Sequence, residues 1–92
     1  MRTITFTHIN NDTSGNPRYV CHFLDLLKED EKLDFELGAR YNAALARART
    51  VGGRKFHNRQ YGGGIVFVSY NLNETCNHIA RVLGELCKPK LG

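Results

Sequence analysis

The chain predicts an α+β domain with two helices packed on one face of a small antiparallel sheet, in the order strand, strand, helix, strand, strand, helix. Three observations carry this expectation. Two pairs of segments have strand character, two further segments repeat apolar residues at three- and four-residue spacing, and clusters of turn-forming residues separate them. The 92 residues suffice for one core, since half of such a chain could not bury an interior of its own and no linker divides it. A single domain over residues 1–92 follows.

Thr3 to Ile9 alternates as a half-buried strand does, with Ile4 and Phe6 on one side and Thr3, Thr5 and Thr7 on the other. Asn10 to Pro17 is dense in residues that accept turn geometry, and Arg18 to Leu27 resumes as a second strand through Tyr19, Val20, Cys21, Phe23 and Leu24. Together they read as a hairpin with a long polar loop. Lys28 to Lys32 is a solvated charged connector. Asp34 then caps a helix whose apolar positions Leu37, Tyr41, Ala44, Leu45, Ala48 and Val51 fall on one side, with Gly52 and Gly53 as its stop.

Arg54 to Arg59 is a short polar strand, Gln60 to Gly64 a turn, and Ile65 to Tyr70 an apolar and β-branched strand, which makes a second hairpin. Asn71 followed by Glu74 approximates a capping box, with Asn73 as a competing cap. The stripe Cys76, Ile79, Val82, Leu83 and Leu86 defines a second helix, which Pro89 ends.

Thirteen Lys and Arg against nine Asp and Glu give a net charge of +4, and that modest figure hides a strong polarity. Met1 to Glu36 holds four cations and seven acids, a net of −3, whereas Leu37 to Gly92 holds nine cations and two acids, a net of +7. Between Arg40 and Arg59 no acid interrupts Arg40, Arg47, Arg49, Arg54, Lys55 and Arg59, and Phe56, His57 and Tyr61 are interleaved with them or adjoin them. Cations for phosphate combined with aromatic faces for bases hold single-stranded nucleic acid. Arg40, Arg47, Arg49, Arg54, Lys55, His57, Arg59 and Tyr61 are therefore the candidate binding residues. The plainer reading of the same residues is that basic side chains late in a helix complement its dipole and the others solvate a surface.

Catalytic and metal chemistry find less support. Cys21, Cys76 and Cys87 are an odd number in a chain with no export signal, so reduced thiols are expected. Cys76 with His78, and Cys21 beside His22, suggest zinc ligands, but adjacent strand residues point to opposite faces and Cys76 falls on the apolar stripe, so packing is the simpler role. Gly62, Gly63 and Gly64 lead into a strand and lack the lysine of a phosphate loop, which excludes nucleotide hydrolysis of that type. The run Gly62 to Val68 departs from the RNA-recognition strand signature at Gly63, Ile65 and Val68, where that motif has aromatics. Asn11 to Pro17 reads as a turn or as a ligand loop, with one carboxylate, Asp12, too few for a calcium cage. No catalytic residue, metal or cofactor is assigned.

Polar residues interrupt the N-terminus, and the apolar run Ile65 to Val68 is far shorter than the roughly 20 residues that span a bilayer, so a cytoplasmic protein with no membrane partner is expected.

The strings Asn11-Asp12-Thr13-Ser14-Gly15-Asn16-Pro17-Arg18-Tyr19-Val20, Gly52-Gly53-Arg54-Lys55-Phe56-His57-Asn58 and Tyr61-Gly62-Gly63-Gly64-Ile65-Val66-Phe67 resemble small accessory proteins carried by bacterial phages, plasmids and integrative elements. That genomic class includes anti-CRISPR and anti-restriction inhibitors, which dock on nucleic-acid machinery. The resemblance implies a non-enzymatic binding protein that engages nucleic acid, or an acidic surface of a nucleic-acid-processing complex, in the manner of an anti-CRISPR inhibitor. Two alternative readings stand beside it. One is a small thiol or histidine enzyme built on a pair such as Cys21 and His78. The other is a homodimer that pairs exposed strand edges.

Overall fold

The computed structural model describes residues 1–47, 56–61 and 64–92. Strand β1 spans Arg2–Asn11 and β2 spans Pro17–His22; a 3-10 turn at Phe23–Leu26 and a single helical turn, α1, at Glu29–Lys32 follow. Helix α2 covers Phe35–Arg47, strands β3 and β4 cover Phe56–Tyr61 and Gly64–Ser69, helix α3 covers Leu72–Leu83, and strand β5 covers Cys87–Leu91. The sheet has five strands in the order β3-β4-β2-β1-β5. The β1–β2, β2–β4 and β3–β4 pairs are antiparallel and the β1–β5 pair is parallel.

The α+β class and both hairpins agree with the sequence. The expected element order and purely antiparallel sheet do not, because a fifth strand follows the last helix and makes the sheet mixed. Pro89 does not end α3. Gly84 ends it, in the left-handed conformation at φ 73°, with its N–H donated to the Ala80 carbonyl, a role glycine fills without the steric cost other residues meet. Pro89 instead sits inside β5 opposite Ile4, where an outer strand tolerates a residue with no N–H to give.

The first hairpin has a shorter loop than its composition suggests. β1 continues to Asn11 and β2 begins at Pro17, leaving five residues between them. Asp12 organises the connection by accepting from the backbone N–H of Ser14 at 2.9 Å and of Asn16 at 2.8 Å, and Gly15 takes φ 86°. These bonds hold the Asp12 carboxyl below the usual carboxylate range, the Asn16 N–H first among them. The second strand also ends earlier, at His22. Phe23 and Leu26 are both buried while Leu24 and Asp25 are exposed, so one tight turn puts two apolar side chains three residues apart on the same side. Asp25 closes that turn by accepting from the His22 N–H.

Asp34 caps α2 as expected, accepting from the Leu37 N–H at 3.0 Å. Ala48, Val51, Gly52 and Gly53, the expected end of that helix, lie outside the described residues. Asn71 caps α3 by accepting from the Glu74 N–H at 3.1 Å, while its own N–H goes to Ser69 Oγ rather than to the Glu74 carboxylate. The capping box is thus half formed, with the preceding strand supplying the other acceptor.

The core lies on one face of the sheet. Ile4 and Phe6 from β1, Cys21 from β2, and Ile65 and Phe67 from β4 meet Leu45 of α2, Cys76 and Ile79 of α3, and Phe23 and Leu26 of the 3-10 turn. Of the expected stripe on α3, Val82 and Leu83 pack partly against this core and Leu86 is exposed beyond the helix end. On the other face, Thr3 and Thr7 are exposed and β5 adds exposed Lys88 and Lys90 opposite Thr3 and Thr5.

Arg2 occupies the core face of β1 although it is charged, with only 3% of its side chain exposed. Its guanidinium donates to Glu31 Oε1 at 2.6 Å and Oε2 at 3.0 Å, to Glu85 Oε2 at 2.9 Å and to the Leu26 carbonyl at 2.7 Å, and it stands 6.0 Å from the centre of the Tyr41 ring. A buried cation is tolerated when acceptors offset its desolvation, as they do here for both terminal nitrogens though not for the buried Nε, and removing one partner exposes the full penalty on the others. Replacing Arg2 with Met is expected to lower stability by roughly 2–4 kcal/mol in urea unfolding. Arg2 holds the Glu31 carboxyl below its ordinary value of 4.5, and Lys28 first, then Arg2, hold that of Glu85 below the same value. Their contribution is complete above that value and is lost as pH falls through the depressed folded values. The wild type should therefore lose stability on acidification below about pH 4.5, and Arg2→Met should show a flatter acid limb; parallel curves would contradict the assignment.

Candidate functional site

The placement of charge begins with which cations have carboxylate partners. Arg2 is held by Glu31 and Glu85, Lys28 Nζ lies 3.1 Å from Glu85, and Lys32 Nζ lies 3.1 Å from Glu29. Arg18 donates from Nε to Asn10 Oδ1 at 2.7 Å. The later cations differ. Arg40 and Arg47 on α2, Arg81 on α3, and Lys88 and Lys90 on β5 are exposed, and among the described residues none of them is ion-paired. Glu85, one of only two acids after Glu36, is already committed to Arg2 and Lys28.

The predicted binding residues divide among elements. Arg40 and Arg47 stand two helical turns apart on α2, about 10 Å along its axis, and α2 packs against β3 and β4. His57, Arg59 and Tyr61 occupy β3, an outer strand, in register with Val68, Val66 and Gly64. Arg49, Arg54 and Lys55 lie outside the described residues. Neighbouring elements thus carry Arg40, Arg47 and the β3 positions. Lys88 and Lys90 flank Pro89 on the opposite outer strand, about 19 Å across the sheet at ordinary strand spacing, and are the cations that sequence reasoning missed. Their signal was the alternation Lys-Pro-Lys-Leu, obscured by reading Pro89 as a helix stop.

The groups that could carry covalent chemistry are differently placed. Cys21 and Cys76 are buried in the core, and burial pushes the Cys21 thiol far above its usual range and the Cys76 thiol up to about 12. Cys87 is half-buried, and burial raises its thiol as well. A thiol held in this way is protonated near neutral pH, whereas nucleophilic attack and metal ligation both require the thiolate. His78 is buried with its ring edge-on to Phe67, centroids 6.3 Å apart. Exposed His8 bonds through Nε2 to Asn11 Oδ1 at 3.0 Å, and its ring lies 5.5 Å from that of Tyr19. Among the described residues no three His, Cys, Asp or Glu side chains form a group able to hold a metal ion. The Asp12 carboxylate is engaged by the loop it organises.

Thiol titration checks this placement. With Ellman's reagent at mildly alkaline pH, Cys87 should react first, and Cys21 and Cys76 only at the rate of transient opening, while in denaturant all three react together. Rapid modification of Cys21 in the native protein would contradict the burial.

Among the described residues no helix is long and apolar enough to cross a membrane. No curated protein and no solved structure matches the chain. The family model described as Staphylococcus phage terminal repeat-encoded protein TreK matches residues 1–87, a span running from the first residue through the start of β5. With nearly the whole fold inside that match, the chain belongs to the Staphylococcus phage terminal repeat-encoded protein TreK family.

Proposed function

We propose that this phage accessory protein is a non-enzymatic binding protein whose direct ligand is nucleic acid, held through the cations that follow Glu36. The observation behind this reading is the partition of charge. Acids of the first part bind Arg2 and Lys32 and close turns, and Glu85 is taken by Arg2 and Lys28, which leaves Arg40, Arg47, Arg81, Lys88 and Lys90 exposed without carboxylate partners among the described residues. Unpaired cations spread over several elements suit a repeating anion such as a phosphate backbone, which asks for many modest contacts. Arg49, Arg54, Lys55 and Arg59 add to the same net charge. His57 and Tyr61 would supply ring faces to bases beside them.

An acidic protein surface is the competing ligand for the same cations. Under that reading the protein inhibits a nucleic-acid-processing complex as an anti-CRISPR protein does. Salt separates the two, because each phosphate contact releases counterions whereas a protein interface of the same area depends more on anchor residues.

Anisotropy of a labelled single-stranded oligonucleotide should give an affinity that falls with salt at a log–log slope steeper than about −3, the value for four to five phosphates on a single strand. The double variant Lys88→Glu and Lys90→Glu, and separately the triple alanine variant of Arg54, Lys55 and Arg59, should each weaken binding by about tenfold or more with circular dichroism unchanged. Absence of binding at low salt, or a slope near zero, would exclude nucleic acid as the direct ligand.

A further inference from the structure

A second surface, of opposite charge, lies where the 3-10 turn, α1, the start of α2 and the start of β4 meet. These elements enclose an open groove of about 510 Å³, within the range of cavities that hold anchor side chains. Its walls include Phe23, Leu27, Ala39 and Ile65, and Leu24 and Phe35 stand at its edge. Leu24 is 62% exposed, Phe35 88% and the adjacent Leu33 89%. Three large apolar side chains are thus left in water within twelve residues, although Phe23 and Leu26 of the same stretch are buried in the core. Scattered apolar exposure is ordinary, but a cluster beside a groove marks an interaction site.

The rim fixes the chemistry of what binds. Asp25 to Glu36 contains six acids, Asp25, Glu29, Asp30, Glu31, Asp34 and Glu36, against two cations, Lys28 and Lys32. Both lysines are already paired, with Glu85 and Glu29. Asp34 lines the groove beside Glu31 and Lys32, and Asp25, Asp30 and Glu36 are exposed on or next to the turn and helices that form it. A phosphate backbone is repelled from such a rim, and an apolar segment flanked by Lys or Arg is drawn to it.

We infer that this groove docks an amphipathic, basic helical segment of a partner protein, with two or three apolar side chains seated between Leu24 and Phe35 and cations against the acidic rim. Helix-in-groove recognition uses apolar anchors at i, i+3 or i+4, and i+7, which matches an apolar slot bordered by charge. A second copy of this chain is a poor occupant. Its described helices spend their apolar sides internally, Leu45 of α2 and Cys76 and Ile79 of α3 being buried, so neither offers a spare apolar face with basic flanks. The inference does not rest on nucleic-acid binding, since the two surfaces share no residue.

The test uses three synthetic peptides of the same length in calorimetric titration: one with Leu at helical i, i+3, i+4 and i+7 positions and Lys elsewhere, one with Glu replacing Lys, and one with Ser replacing Leu. The Leu/Lys peptide should bind, the other two at least about tenfold more weakly. Phe35→Ser and Leu24→Ser should each reduce its affinity about fivefold or more, as should Asp30→Lys combined with Glu36→Lys. All four positions are exposed, so unchanged circular dichroism is expected. Equal binding of the Leu/Glu peptide, no binding of any peptide, or insensitivity to Phe35→Ser overturns the inference. So does sedimentation showing self-association that Phe35→Ser abolishes, which would make a second copy the occupant.

Discussion

The fold is organised around one buried guanidinium. Arg2 lies on the core side of β1, and its nitrogens reach the 3-10 turn through the Leu26 carbonyl, α1 through Glu31, and the α3–β5 connection through Glu85, while Tyr41 brings α2 beside it. No other described side chain is bonded to so many separate elements. Leaving such a cation without these acceptors in a low-dielectric interior is costly, and the same geometry is worth little if any of them moves away. The backbone bond from the Arg2 N–H to the Leu86 carbonyl, at 2.8 Å, sets β5 alongside β1 at the same point. The short turn α1, only four residues long and without a buried side chain, owes its position to this junction more than to helix propensity.

The junction also sorts the charge. Glu31 and Glu85 are engaged by Arg2 and by Lys28, and Glu29 by Lys32, so three of the four cations of the first 36 residues have carboxylate partners while Arg18 is bonded to Asn10. The rest of the chain keeps an excess of seven positive charges, counted from nine cations and two acids. Remaining acids gather between Asp25 and Glu36, around the exposed Leu24, Leu33 and Phe35. An acidic apolar groove and a set of unpaired cations therefore occupy different parts of one small phage protein. Two surfaces of opposite sign suit a protein that contacts two kinds of partner, and each sign disfavours the other's ligand.

Local patterns in the sequence revealed what depends on local physics. The alternation around Ile4 and Phe6, the Asp34 cap, the Asn71 cap and the β-branched run at Val66 to Val68 each express a preference of a few consecutive residues, and each appears where expected. Strand β5 was hidden because Pro89 is a helix terminator by composition, and only its place at the sheet edge makes it acceptable in a strand. The 3-10 turn was hidden because Phe23 to Leu27 continues the apolar run of β2, and its turn is required by the burial of both Phe23 and Leu26. Arg2 gave no local signal at all, since its carboxylate partners are 29 and 83 residues away. For the candidate site, Arg40 and Arg47 were legible from charge and helical period. Lys88 and Lys90 were lost with β5, and the groove arises only when the start of β4 meets the stretch from the 3-10 turn to the start of α2.

The central claim is that charge is partitioned between two surfaces and that nucleic acid meets only the cationic one. Amide chemical-shift mapping with a short unlabelled single-stranded oligonucleotide at low salt tests it most directly. The account predicts perturbations at Arg40, Arg47, Lys88, Lys90 and along β3, with Asp25 to Glu36 unmoved. Perturbations centred on Asp25 to Glu36, or none anywhere, would contradict it.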